Sequence, residues 1–195
     1  HRPDLIRRFV EGKFGFQQIG RPVTPEFDDT RHLNFGLGPM RGQPLYLLWD
    51  FGLNPTCLIS QVTPMRQWNI LDAQVGDGIG VYELVQTWLK PLLATRYRGF
   101  RWDHIGDPQG LQREQSDANV SAVKLLRREL GGKRTSGPKY WEQRIEPLRA
   151  LLTKNVTGQG AGVLQIDRDR APAVWHALRG GWHYNVGRTG VVAAE

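Results

Sequence analysis

Apolar residues concentrate in three closely spaced segments that have the length and composition of β-strands, residues 44–50, 56–63 and 67–75. Turn signals separate these segments, Gly52-Leu53-Asn54-Pro55 after the first and Thr63-Pro64 after the second. Links this short join only antiparallel neighbours, so the pattern predicts an antiparallel meander of three strands.

The hydrophobic period then changes to that of a helix. Seven apolar residues recur three and four positions apart on one helical face: Val81, Leu84, Val85, Trp88, Leu89, Leu92 and Leu93. Pro91 is expected to kink this helix or to break its last turn. A fourth strand is predicted at residues 100–106, and it ends at Asp107.

The second half of the chain predicts two basic helices and mixed elements after them. Ser116 or Asp117 is expected to cap the first helix, which Gly131-Gly132 closes. The second helix is expected to begin near Pro138 and to be interrupted by Pro147. The remaining predicted elements are a strand at 163–166, a short helix at 172–178 and a last strand at 182–186.

The order of these elements predicts an α/β fold. A meander, a crossover helix and a fourth strand that lies parallel beside the first form the ribonuclease H-like arrangement. The expected architecture is a mixed sheet, an antiparallel meander plus parallel strands, flanked by helices. Residues 1–43, which are rich in Gly and Pro, are predicted to be an entry arm, and residues 44–195 the ribonuclease H-like domain.

Two aspartates end strands that this arrangement makes neighbours. Asp50 closes the first strand and Asp107 closes the fourth, so both carboxylates are expected at one edge of the sheet. A divalent metal ion offsets the cost of placing carboxylates there, and paired carboxylates hold Mg²⁺ or Mn²⁺ against a phosphodiester. We predict a two-metal site in which Asp50 bridges both ions and Asp107 holds one. The alternative is that each aspartate only starts a turn.

Positive charge is concentrated in one segment. The whole chain has a formal charge of +7, and residues 124–154 contain nine basic and three acidic residues. Such a concentration is typical of a surface that binds a phosphate backbone, although a solvated helical face is the alternative. The candidate DNA-binding residues are Lys124, Arg127, Arg128, Lys133, Arg134, Lys139 and Arg144.

Several classes of function are disfavoured by missing patterns. Gly131-Gly132-Lys133-Arg134-Thr135 lacks the G-x-x-x-x-G-K-[ST] spacing, so this chain is not expected to hydrolyse ATP. No apolar run approaches the length needed to span a membrane. The one cysteine, Cys57, is predicted to be buried and forms no internal disulfide. The chain opens on His-Arg-Pro-Asp without an initiator Met, so we expect it to be part of a longer polypeptide.

Ordered segments across the chain resemble the C-terminal nuclease domain of tailed-bacteriophage terminase large subunits. These segments are Gly20–Phe27, Trp49–Thr56, Gly106–Gly110, Trp141–Leu148 and Leu178–Tyr184. The resemblance implies a ribonuclease H-like, divalent-metal-dependent endonuclease that cuts concatemeric double-stranded viral DNA during genome packaging in the cytoplasm of the bacterial host. It maps the first two family carboxylates onto Asp50 and Asp107. It also implies three partners: a packaging ATPase preceding residue 1, a portal and a small terminase subunit.

One departure from the family pattern concerns a third carboxylate. The family commonly carries it in a His-x-x-Asp pattern after a Gly-Gly-aromatic segment, and no such pattern follows Gly180-Gly181-Trp182. We expect the third ligand beyond Glu195 or, failing that, at Asp103 or Asp167. Two other functions stay open: another ribonuclease H-like nuclease of the resolvase or integrase type, and a non-catalytic DNA-binding or portal-docking module.

Overall fold

The computed structural model describes residues 21–52, 54–106, 121–156, 161–186 and 192–193. Its strands are β1 (Arg21–Pro22), β2 (Leu33–Asn34), β3 (Leu45–Asp50), β4 (Thr56–Val62), β5 (Trp68–Val75), β6 (Trp102–Gly106), β7 (Arg134–Ser136), β8 (Leu164–Asp167), β9 (His183–Val186) and β10 (Val192–Ala193). Its helices are α1 (Asp29–His32), α2 (Val81–Leu84, Val85–Leu89 and Lys90–Thr95), α3 (Ala122–Leu130), α4 (Trp141–Thr153) and α5 (Pro172–His176, followed by a π-helical turn over Ala177–Gly181).

A seven-stranded mixed sheet forms the centre of the molecule, in the order β2-β8-β5-β4-β3-β6-β7. The predicted meander is confirmed, because β3, β4 and β5 pair antiparallel. The predicted parallel fourth strand is confirmed as well, since β6 pairs parallel with β3 from Leu45 opposite Trp102 to Trp49 opposite Gly106. A separate sheet contains β1, β9 and β10.

Two strands of the large sheet have no counterpart in the sequence prediction. β2 comes from the predicted entry arm and pairs parallel with β8 at one edge. β7 lies at the other edge and pairs parallel with β6, with Ser136 opposite Gly106. Both strands are short, two residues in β2 and three polar residues in β7, so neither is long enough to carry the pattern from which a strand is recognised.

Hydrophobic cores lie on both faces of the sheet. Alternation along β3 buries Leu45, Leu47 and Trp49 and leaves the residues between them partly exposed. These three pack against α2 and α3, together with the fully buried Cys57, whose burial was predicted. A second cluster packs around Ile70 with side chains of β8, α4 and the segment after β8. Within the described ranges, no helix is long and apolar enough to cross a membrane.

The two prolines predicted to disrupt helices are accommodated. α2 contains a π-helical turn over Val85–Leu89, one turn before Pro91, and continues to Thr95. The wider turn lies where the proline ring would meet the preceding carbonyl groups. The predicted interruption at Pro147 is wrong, because α4 is continuous from Trp141 to Thr153. Pro147 is exposed, so solvent can hydrate the carbonyl group that loses its donor.

The predicted start of α3 is also wrong. Ser121 is the N-cap, and its hydroxyl oxygen accepts a hydrogen bond from the backbone N–H of Lys124. Ser116 and Asp117 lie outside the described residues and precede this cap. The predicted end is confirmed, since Gly131 adopts a φ of 67° after Leu130, a conformation that favours glycine.

Candidate active site

Asp50 is the last residue of β3 and lies at the carboxyl-terminal edge of the sheet. The two-residue period of the strand buries Trp49, at 5% exposure, and leaves Asp50 exposed. Its Oδ1 atom accepts a hydrogen bond from the backbone N–H of Gly52 at 3.2 Å. The turn therefore orients the carboxylate, while its exposure leaves it accessible to a cation and its water shell.

The end of β6 lies directly beside the end of β3. Trp49 is opposite Gly106, which is the last described residue of this strand. Asp107 follows Gly106 in the chain and lies outside the described residues, so its predicted position beside Asp50 stays a prediction. The described backbone nevertheless brings the two strand ends that precede the two aspartates to the same level of one sheet edge.

An aromatic layer holds this edge together. Trp49 and Phe51 stack with ring centroids 5.8 Å apart and an interplanar angle of 4°. The Phe51 ring also lies over Gly106, where an added Cβ would be only 2.8 Å from the Phe51 Cε2 atom and 3.3 Å from the Trp49 Cβ. Phe51 and Gly106 flank Asp50 and are absent from the predicted site. Glycine at 106 thus lets the turn after Asp50 pack against β6.

The His104 ring holds the same aromatic layer in place through two hydrogen bonds. The indole Nε1–H of Trp49 donates to His104 Nδ1 at 3.0 Å, and His104 Nε2 donates to the Gly131 carbonyl oxygen at 2.8 Å. The ring is 2% exposed, and this burial lowers its pKa below the ordinary histidine value. Neutral His104 therefore connects β3, β6 and the end of α3.

We expect the free energy of unfolding to fall as the pH falls below about 6.5, the ordinary pKa of histidine in the unfolded chain. The folded pKa of His104 is lower, so the unfolded state binds the proton first and is favoured, by up to about 1.4 kcal/mol per pH unit. His104→Gln keeps a donor but cannot titrate. Urea unfolding of both proteins between pH 7.5 and 5 measures the difference in slope. Buried His32, whose pKa is also lowered, contributes equally to the slopes of both proteins and cancels in the comparison. Equal slopes would therefore contradict this role of His104.

The alternative third ligands lie away from Asp50. Asp103 is opposite Tyr46, four positions before Asp50 along the sheet, and its Oδ1 atom accepts the backbone N–H of Lys133 at 3.1 Å. Asp167 is fully buried and accepts the backbone N–H of Leu37 and the guanidinium of Arg170. Burial raises the pKa of Asp167, but these hydrogen bonds outweigh it and lower the pKa overall. Across the described part of the chain, no group of three His, Cys, Asp or Glu side chains is placed to hold a metal ion.

The structure separates the predicted DNA-binding residues between the two ends of the sheet. Lys133 lies near the amino-terminal ends of β3 and β6, in a groove of about 560 Å³ that Pro44 and Trp102 also line. Exposed Arg128 forms a 2.7 Å ion pair with Glu129, whose pKa is lowered to about 2 by hydrogen bonds from Lys90 and then Arg128.

The other predicted DNA-binding residues lie nearer to the Asp50 end of the sheet or between its two ends. Exposed Lys124 lies in the first turn of α3, and Arg127 and Arg134 line a cavity of about 300 Å³ with His104. Lys139 and Arg144 follow the carboxyl-terminal end of β7, which is the Asp50 edge. The basic segment is therefore not one continuous helical face.

Solved structures of phage large terminases superpose on this chain. The nuclease domain of the P22 large terminase superposes with a TM-score of 0.57 at 10% identity, over 91% of this chain and 86% of that domain. The large terminase nuclease of thermophilic phage G20c with bound cobalt gives 0.55 at 13% identity, over 89% of this chain and 86% of the other. This chain has the fold of a phage terminase nuclease domain.

The ribonuclease H-like fold class predicted for this chain is thereby confirmed. The large terminase of a second thermophilic bacteriophage also superposes, with a TM-score of 0.59 at 16% identity over 85% of this chain. The chain covers 39% of the length of that terminase. No protein-family model and no curated protein sequence matches the chain.

Proposed function

We propose that this chain is the nuclease part of a phage terminase large subunit, a divalent-metal-dependent endonuclease that cuts concatemeric double-stranded DNA during genome packaging. The observation that carries the proposal is the parallel, in-register pairing of β3 with β6, which ends at Trp49 and Gly106. Asp50 and Asp107 are the next residues along the two strands. The terminase nuclease fold at this edge supports hydrolysis of phosphodiesters over a purely structural role for the two aspartates.

Asp50 and Asp107 are the residues that would hold the metal ions. Consecutive Cα atoms are 3.8 Å apart, so the chain itself keeps the Cα atom of Asp107 this close to that of Gly106. Gly106 is the neighbour of Trp49 in the sheet. Carboxylate oxygens are the ligands that Mg²⁺ and Mn²⁺ prefer, and exposed Asp50 is accessible to such an ion. When bound, a metal pair supplies an activated water and stabilises the leaving oxygen of the phosphodiester.

The chain's own residues hold and orient this site. The Gly52 N–H fixes one oxygen of Asp50, and the stacked Trp49 and Phe51 rings keep the strand end rigid against Gly106. Rigid placement of ligands is what aligns the reacting atoms in a hydrolytic site. Those basic residues of segment 124–154 that lie on the Asp50 side of the sheet are proposed to bind the phosphate backbone without reading bases, so binding is largely independent of sequence and sensitive to salt.

In this proposal the packaging ATPase, the portal and the small terminase subunit are the partners of the full-length polypeptide, which acts in the cytoplasm of the bacterial host. The chain spans about two fifths of the second thermophilic phage's large terminase, and this supports a longer polypeptide that includes further parts. The absence of a P-loop sequence from the chain agrees with an ATPase located elsewhere.

Plasmid nicking tests the proposal. We expect the purified chain to convert supercoiled plasmid to the nicked form in Mn²⁺, more slowly in Mg²⁺, and not at all in excess EDTA. Mg²⁺ demands near-octahedral geometry and dehydrates reluctantly, so a site with few protein ligands favours Mn²⁺. A chain that binds duplex DNA but never nicks it in either metal would favour the non-catalytic DNA-binding or portal-docking module instead.

A further inference from the structure

The two flanks of Asp50 along the sheet edge differ in charge. On one side lie the start of β4 and the end of β5. Thr56, the first residue of β4, is opposite both Asp50 and Val75, the last residue of β5. Residues 54–56 and 75–80 on that side contain Asp77 and no basic residue. On the other side lies the end of β7, which leads directly into Lys139 and Tyr140. Of these two flanking segments, the one after β7 carries the basic residue.

The backbone places the segment after β7 at the level of Asp50. Gly137 donates its N–H to the Gly106 carbonyl oxygen at 2.8 Å, which extends the β6–β7 pairing one residue past Ser136. Two strand spacings separate β3 from β7, a lateral distance of about 10 Å. DNA advances about 3.4 Å per nucleotide, so this distance corresponds to about three nucleotides from the bond beside Asp50.

The same segment is held rigidly and presents an aromatic ring to solvent. Arg144 Nε donates to the Pro138 carbonyl oxygen at 2.7 Å, which folds the turn back onto α4. Trp141 packs edge-on against Trp182 at 5.5 Å and anchors the first turn of the helix. Between these anchors Lys139 is exposed and Tyr140 is 62% exposed. A fixed lysine can pair with a phosphate, and an exposed ring beside it can pack on the neighbouring sugar, since most protein contacts to duplex DNA are to phosphate and sugar.

We propose that Lys139 and Tyr140 form the duplex contact beside the cleavage site, Lys139 on a phosphate and the Tyr140 ring on the adjoining sugar. This inference rests on the proposed nuclease function and identifies its substrate-positioning surface. Lys133 is the matched comparison, because it is an exposed lysine of the same basic segment that lies at the opposite end of the sheet. Its side chain can be truncated without touching its backbone hydrogen bonds to Asp103 and His104.

The test measures binding of a fluorescent duplex of about 20 base pairs, in EDTA, by the whole chain and its Lys139→Ala and Lys133→Ala variants. Losing one phosphate contact lowers the slope of log K against log salt by about 0.9. We expect this change for Lys139→Ala, so the ratio of wild-type to variant affinity shrinks about 3.5-fold from roughly 50 to 200 mM salt. Lys133→Ala should keep the wild-type slope.

Tyr140 variants provide the second measurement. Tyr140→Ala should weaken binding at least about fivefold at every salt concentration without changing the slope, and Tyr140→Phe, which keeps the ring, should retain the affinity. Slopes that are equal for both lysine variants, or a tight-binding Tyr140→Ala protein, would overturn this inference while Asp50-dependent nicking continued. A wild-type chain that neither binds duplex nor nicks plasmid would overturn the proposed function and this inference with it.

Discussion

Asp50→Asn is expected to reduce plasmid nicking in Mn²⁺ by at least about 10³-fold while the protein stays folded. Asp50 would hold the metal ions, so losing its negative charge would remove about 4 kcal/mol or more of transition-state stabilisation. The amide oxygen of Asn can still accept the hydrogen bond from the Gly52 N–H. Because the side chain is exposed, the free energy of unfolding without metal should change by no more than about 0.5 kcal/mol.

Asp77→Asn is the matched control for this substitution. Asp77 is an exposed aspartate just beyond the end of β5, at the same edge of the sheet, and its replacement changes the net charge by the same amount. We expect this variant to nick plasmid within about twofold of the wild-type rate, since surface substitutions away from the reacting atoms have small effects. Wild-type nicking by Asp50→Asn, or equal losses in both variants, would refute the assignment of Asp50.

Gly106→Ala is expected to lower nicking about 100-fold at a cost in stability of about 1–3 kcal/mol. The added methyl group would lie 2.8 Å from the Phe51 Cε2 atom and 3.3 Å from the Trp49 Cβ, so one of these side chains must shift. Phe51 is only partly buried and is the one that can move. Its displacement moves the turn that orients Asp50, and errors of about 1 Å in a catalytic site cost about this factor in rate.

A second substitution distinguishes this displacement from general damage to the fold. Phe51→Leu in the Gly106→Ala background removes the ring edge that the methyl group meets. Because the two residues are in contact, we expect the double variant to nick plasmid at least about tenfold faster than Gly106→Ala alone. Gly38→Ala is the control, because a Cβ at Gly38 meets nothing within 4 Å. If the double variant were as inactive as the single one, the contact between Phe51 and Gly106 would not be what orients Asp50.

The central part of the sheet could be predicted from the sequence because its signals are local. The apolar run from Leu45 to Trp49 has the length of a strand and is followed by a turn signal. Short turns force the antiparallel meander, and a helix of the length of α2 allows the next strand to lie parallel to the first. These rules alone place the ends of β3 and β6 side by side.

The contributions of β7 and of the aromatic layer could not be predicted in this way. Arg134-Thr135-Ser136 has no apolar residue, and it becomes a strand only because the backbone of β6 offers unpaired hydrogen-bonding groups. Backbone groups are the same in every residue, so such pairing leaves no pattern in the sequence. Likewise, the contact of Phe51 with Gly106 joins residues that are far apart in the chain.

The sequence by itself determined the meander, the parallel fourth strand and the presence of a strongly basic segment. Only the tertiary structure decided which basic residues share an edge with Asp50. Lys133 and Lys139 are six residues apart and equivalent in composition, yet β7 runs between them and carries them to opposite ends of the sheet. The chemistry of a side chain depends on its own residue type. The position of that side chain relative to the site depends on hydrogen bonds between backbone segments that are far apart in the chain.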